Sequence, residues 1–146
     1  MPEQKRMMGI DFGQKRVGIA VSDPTGIIAR GLDTIPNDRN LIEIVIAMIV
    51  KLSVGKVVVG KPLMLSGKEG VSAIEAAKFA AKLREKLRSG PDGEIEVVEW
   101  DERFTTTMAQ RIQLELGVKR KERQRKSNLD RMASQLILQS YLDSRK

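Results

Sequence analysis

The apolar positions of this chain change period partway along it. Over the first 35 residues they fall in short runs separated by turn residues. Residues 7–12 are apolar apart from Asp11, and Gly13, Gln14 and Lys15 form a turn. Residues 17–21 form a second run that carries on to Asp23. Pro24, Thr25 and Gly26 make a second turn, and a third strand is predicted within residues 27–35. Three consecutive strands joined by short turns predict an antiparallel meander. The spacing then lengthens. Leu41, Ile44, Val45, Met48 and Leu52 recur at helical intervals and predict a helix over residues 38–52. Residues 56–60 are a β-branched run suited to a buried strand. Pro62 to Gly70 reads as a loop. Ala76, Phe79, Ala80, Leu83 and Leu87 then define a helix over residues 72–88, with Ser72 and Glu75 as its capping box. A breaker segment at residues 89–93 leads to a strand over residues 95–100.

Beyond Trp100 the pattern predicts a helix over residues 105–116, ended by Gly117, and a basic loop over residues 117–126. A last helix is predicted over residues 128–142, with Leu129, Met132, Ala133, Leu136, Ile137 and Tyr141 as its apolar stripe. The order is β-β-β-α-β-α-β-α-α. It predicts an α/β fold in which a mixed five-stranded sheet carries helices on both faces. Residues 1–146 are expected to form one domain, a length at which one core can stand without a disulfide or metal staple.

Composition removes whole classes of chemistry. The chain has no cysteine and no histidine. Disulfides, zinc–thiolate sites, thiol nucleophiles, Ser-His-Asp relays and His-ligated metals are therefore excluded. Hydrolysis, if this chain performs it, must use carboxylates, a hard metal ion, or hydroxyl and amine groups. The formal net charge is +7, which favours polyanions held through their phosphates. Aromatic residues make up only 3% of the chain, too few for a base-stacking platform, so backbone and shape recognition is expected. No apolar run is long enough to span a bilayer. Residues 1–8 lack the pattern of a secretion signal, so a cytoplasmic protein with no membrane partner is expected.

The acids are placed unevenly. Asp11 interrupts an apolar strand just before Gly13, although aspartate is a poor strand-interior residue. Turn chemistry is the bland alternative, but a carboxylate at a strand end is also a natural ligand for Mg²⁺ or Mn²⁺. Asp101, Glu102 and Arg103 follow the 95–100 strand and precede three threonines. One acid there is explained by the dipole of the helix that follows; two acids and an arginine are not. Asp130 lies near the start of the last helix, where Ser127 and Asp130 read as a capping box, and alone it would be structural.

The motifs themselves resemble a known family. Residues 9–23, GIDFGQKRVGIAVSD, look like the opening signature of the YqgF family of junction resolvases. Val58-Val59-Gly60-Lys61-Pro62-Leu63, with Gly67, is similar to its second block. Asp101 to Thr106 resembles its third, and Lys126 to Ala133 its last. The blocks occur in family order and span nearly the whole chain. The resemblance implies a ribonuclease-H-like fold and metal-dependent cleavage of phosphodiesters in Holliday junctions or precursor ribosomal RNA. It also implies Asp11, Glu102 and Asp130 as catalytic metal ligands, with Asp101 as the alternative to Glu102. Three carboxylates can hold two Mg²⁺ or Mn²⁺ ions about 4 Å apart. In other junction resolvases of this fold the second acid follows the fourth strand; here Gly60 and Lys61 stand there, and the acid has moved to the fifth.

Lys15, Arg16, Lys61 and Arg103 flank these blocks as candidate phosphate contacts. Residues 119–126 hold six basic residues and one acid, and Arg125 and Lys126 lead directly into the last block. A charge run is usually a solvated face, but this one is expected to form a phosphate-binding flap. Two rivals remain. An actin-like or sugar-kinase phosphate site shares the Asp-x-Gly hairpin, but needs further glycine-rich motifs that this chain lacks. A non-catalytic RNA- or ribosome-binding module would need no metal. A monomer or weak homodimer is expected.

Overall fold

A computed structural model describes residues 5–62, 66–90, 95–102 and 126–145; for residues 126–131 it describes the helical backbone alone. Six strands and three helices are formed by the described residues. They are β1 (Arg6–Phe12), β2 (Arg16–Ser22), β3 (Ala29–Gly31), β4 (Ile35–Pro36), α1 (Leu41–Lys51), β5 (Val54–Lys61), α2 (Val71–Arg88), β6 (Glu96–Asp101) and α3 (Lys126–Ser144). The sheet order is β3-β2-β1-β5-β6, with β4 also pairing with β2. β1, β2 and β3 form the antiparallel meander, and β1, β5 and β6 run parallel.

Side-chain alternation along the strands assigns the two faces. Met8, Ile10, Val17, Ile19, Val57, Val59 and Val97 pack with Leu41, Val45 and Ile49 of α1 and Phe79, Ala80, Leu83 and Leu87 of α2. The alternate positions Ala20, Ala29 and Val58 pack with Ile137, Leu138 and Leu142 of α3. The sheet is thus covered on both faces, as its near-continuous β-branched central strands require. Among the described residues no helix is long and apolar enough to cross a membrane.

The sheet has six strands rather than five because the expected third strand is split. Ala20 pairs with Gly31 and Val17 with Ile35, so four steps along the chain oppose three along β2. The extra residue interrupts the pairing between Gly31 and Ile35, although the Leu32 N–H still reaches the Ile19 carbonyl at 2.8 Å. Pro36, which has no N–H, sits on the outer segment, where a missing donor is tolerated. Ile27 and Ile28 belong to neither strand and are exposed.

Three helix details also differ from expectation. α1 starts at Leu41 because the Asp38 side chain accepts the Asn40 N–H at 2.8 Å and the Asp38 carbonyl accepts that of Leu41, forming a turn before the helix. Its buried face is Leu41, Val45 and Ile49, leaving Ile44 exposed; with apolar residues nearly all round the helix, the sequence alone could not orient it. α2 begins at Val71 with Gly70 as N-cap and no side-chain cap bond, so Ser72 and Glu75 form no capping box. α3 already includes Lys126, which places Ser127 inside the helix and Asp130 at its fifth position. Met132 is exposed, while Ser134 and Leu138 join the buried face. The helix expected over residues 105–116 and most of the basic loop lie outside the described residues.

Candidate functional site

The site is built at the C-terminal ends of the three parallel strands. Ile10 of β1 pairs with Val59 of β5, so Asp11 and Gly60 come next on neighbouring strands. Gly60 in turn pairs with Trp100 of β6, and Lys61 with Asp101, so Glu102 follows at the same edge. Asp11 lies two residues from Gly9, which faces α3, and this alternation places it on the α3 side of the sheet. It is half-buried, opposite Gly18 on β2.

Glu102 reaches the same side from β6. It is fully buried, and its Oε2 lies 3.1 Å from the point where a Cβ on Gly60 would stand. Asp101, one residue earlier, is half-buried as the last residue of the strand. A buried carboxylate is costly unless its charge is balanced by donors or a cation. A glutamate held there indicates a polar site rather than a packing role. Oxygen donors of this kind suit Mg²⁺ or Mn²⁺.

α3 supplies the third side. Lys56, early on β5, donates to the Tyr141 hydroxyl at 3.0 Å, whereas Gly60, late on β5, lies under Ile137. The helix therefore runs antiparallel to β5 and brings its N-terminal end to the strand edge that carries Asp11 and Glu102. The helix also lies close to the sheet: a Cβ on Gly9 would stand 2.6 Å from Leu138 Cβ and 3.2 Å from the Ser134 carbonyl oxygen. Asp130 is one turn before Ser134 on this helix, at the end directed toward the acids. Its side chain lies outside the described residues, and among the described residues no trio of potential metal ligands is complete.

The candidate phosphate contacts divide. Lys15 is exposed on the turn after Asp11, and Arg16 opens β2 beside it. This turn is pinned from a distance, since the Asn37 side chain donates to the Gly13 carbonyl at 2.6 Å and the Asn37 N–H to that of Lys15 at 2.9 Å. Nothing in the local pattern around Asn37 signalled that role. Lys61 is already engaged: its ammonium bridges Glu69 at 2.6 Å and Glu99 at 3.5 Å. Chiefly because of the Glu69 bond, its pKa is raised above 10.5, against a smaller effect of burial. Arg103 and Arg125 lie outside the described residues, and Lys126 is described only as the first residue of α3.

A mixed sheet with helices on both faces, and acids at one end of its parallel strands, is the layout of a ribonuclease-H-like fold. Solved structures share the fold. T. thermophilus RuvC in complex with Holliday junction substrate superposes with a TM-score of 0.59, at 15% identity over 97% of this chain and 95% of that one. The fowlpox virus Holliday junction resolvase gives 0.53, at 14% identity over 95% and 99%. Residues 5–144 match the RuvX family, Holliday junction resolvase, and the chain belongs to that family. Its relatives include a protein of Caldanaerobacter subterraneus, 44% identical over 97% of this chain and 98% of its own length. Another, from Phocaeicola vulgatus, is 38% identical over 97% of each chain. Both are named as candidate pre-16S rRNA nucleases. The resemblance read from the four sequence blocks is borne out.

Proposed function

We propose that this protein is a divalent-metal-dependent endonuclease that cleaves phosphodiesters in structured nucleic acid, with precursor small-subunit rRNA as its first candidate substrate and four-way DNA junctions as the second. The observation that carries this proposal is the convergence of Asp11, the buried Glu102 and the N-terminal end of α3 at one edge of the parallel strands. Asp11, Glu102 and Asp130 would hold the metal. Glu102 is preferred to Asp101 because its Oε2 lies over Gly60, the β5 residue level with Asp11 on the neighbouring strand. Bound Mg²⁺ or Mn²⁺, as a pair in the two-metal form of the proposal, would activate water and stabilise the charge that develops on the phosphate and the departing oxygen.

The protein's own groups have separate tasks. Asp11 on β1 and Glu102 just past β6, with β5 between them, would preorganise the oxygen ligands. Lys15, on the turn held by Asn37, and Arg16, which opens β2 beside it, would bind backbone phosphates near Asp11. The net charge of +7 favours binding of a polyanion, and the absence of histidine and cysteine is compatible with carboxylate–metal chemistry at this site.

The test is cleavage of labelled precursor 16S rRNA and of a four-way DNA junction by wild type and Asp11→Asn, with Mg²⁺, Mn²⁺ or chelator. Cutting that requires both the metal and Asp11 is expected, and the preferred substrate decides between RNA and DNA. Tight binding without cutting under any metal would overturn the enzyme assignment and favour a binding module.

A further inference from the structure

The run Val57-Val58-Val59 is followed by a glycine, a residue that weakens a strand interior. Conformation does not demand it. The described glycines with positive φ are Gly26 and Gly67, and Gly60 is not among them. What Gly60 lacks is volume. Its absent Cβ would point to the α3 face, 2.6 Å from Ile137 Cδ1, 3.2 Å from Ile137 Cγ1 and 3.1 Å from Glu102 Oε2. Both neighbours are fully buried.

We infer that Gly60 is a positioning residue for the acidic site: leaving the end of β5 bare creates the space in which the Glu102 carboxylate stands. Glu102 is delivered from β6, one strand further from Asp11 than Gly60 is. To work with Asp11 it must reach across the end of β5, and any side chain at position 60 would occupy that path. Ile137 fills the same space from α3, so an added methyl must displace the isoleucine end, the carboxylate, or both. Glu102 and Ile137 thus share the volume that a side chain at position 60 would take. This inference rests on the proposed metal role of Glu102 and adds to it the residue that fixes where that carboxylate lies.

The test separates packing from positioning through Ile137. Ile137→Val removes Cδ1, the atom nearest to an added Cβ, and serves as the reference protein. Ile137→Val/Gly60→Ala and Glu102→Gln are then compared with it by Mn²⁺ titration calorimetry and by thermal unfolding. The double variant is expected to unfold within a few degrees of Ile137→Val yet bind Mn²⁺ about 10–100-fold more weakly, the range typical of lost ligand support. Mn²⁺ affinity equal to that of Ile137→Val would overturn the role of Gly60. Unchanged affinity in Glu102→Gln would instead remove Glu102 from the metal site, a distinct failure. If the double variant does not fold, Ile137→Ala/Gly60→Ala supplies a roomier background. Failure of both to fold would overturn the inference, because Gly60 would then serve packing alone.

Discussion

Replacing Gly9 by alanine tests how closely α3 must lie on the sheet. The new methyl would stand 2.6 Å from Leu138 Cβ, 3.2 Å from the Ser134 carbonyl oxygen and 3.4 Å from Leu138 Cα. None of these atoms is the end of a flexible side chain. Relief to an ordinary carbon separation of ~3.5 Å requires the helix itself to move by close to 1 Å. Overpacking of this kind costs roughly 1–3 kcal/mol. At about 2–4 °C per kcal/mol for a protein of this size, the melting temperature should fall by roughly 2–12 °C. Trp100 is the single tryptophan and packs edge-on against Tyr141 of α3, so its fluorescence reports on α3 directly. Because Leu138→Ala keeps Cβ, it should not rescue Gly9→Ala; the two losses should combine. A misplacement of about 1 Å in the helix that carries Asp130 should also cut metal-dependent cleavage by on the order of 100-fold while the protein stays folded. A Gly9→Ala protein within about 0.5 kcal/mol of wild type, or one rescued by Leu138→Ala, would refute this account of the contact.

Truncating Ile10 to alanine, fully buried on the α1/α2 face, should cost about 2–5 kcal/mol in denaturant unfolding without altering metal affinity measured on the folded protein. Tyr141→Phe removes the hydroxyl that Lys56 reaches at 3.0 Å and Arg145 at 3.2 Å, and should cost ~0.5–1.5 kcal/mol by chemical denaturation. Asp11→Asn should weaken Mn²⁺ binding by more than the roughly 10–100-fold of an outer-shell change, with an unchanged circular dichroism spectrum. Asp23 supplies a pH prediction. Its carboxylate accepts the N–H groups of Ile28, Thr25 and Ile27 and the Thr25 hydroxyl. These bonds, that of Ile28 foremost, hold its pKa well below the usual 3.8. The unfolded chain therefore takes up this proton first as pH falls, so the stabilisation is complete above about pH 3.8 and lost below it. Acid titration of stability should be shallower in Asp23→Asn than in wild type, and equal slopes would contradict the assignment.

Much of this protein is legible in one dimension, because its signals are local. The meander follows from short apolar runs and their turns, and α2 from Ala76, Phe79, Ala80, Leu83 and Leu87, all buried as the helical period requires. The acids could be found because Asp11 contradicts its strand and because histidine and cysteine are absent; the four blocks then supplied the family. What the sequence could not supply depends on atoms far apart along the chain. The split of the third strand arises from a register count against β2. The buried face of α1 was ambiguous because nearly every side of that helix is apolar, and only its packing on the sheet selects Leu41, Val45 and Ile49. Gly13, Lys15 and Asn37 are joined only once β2 and the segment after β4 are paired.

Gly60 shows the division most clearly. In the sequence it is the place where an expected acid is missing. In the fold, Glu102 lies over it from the next strand and Ile137 covers it from a helix 77 residues further along the chain. The sequence alone determined the kinds of group available and the strand ends that bear them. The tertiary structure decided which carboxylate lies over which strand, because parallel strands and the helix crossing them meet only after the chain has folded, and a glycine's empty volume acquires its use only from the side chains that surround it.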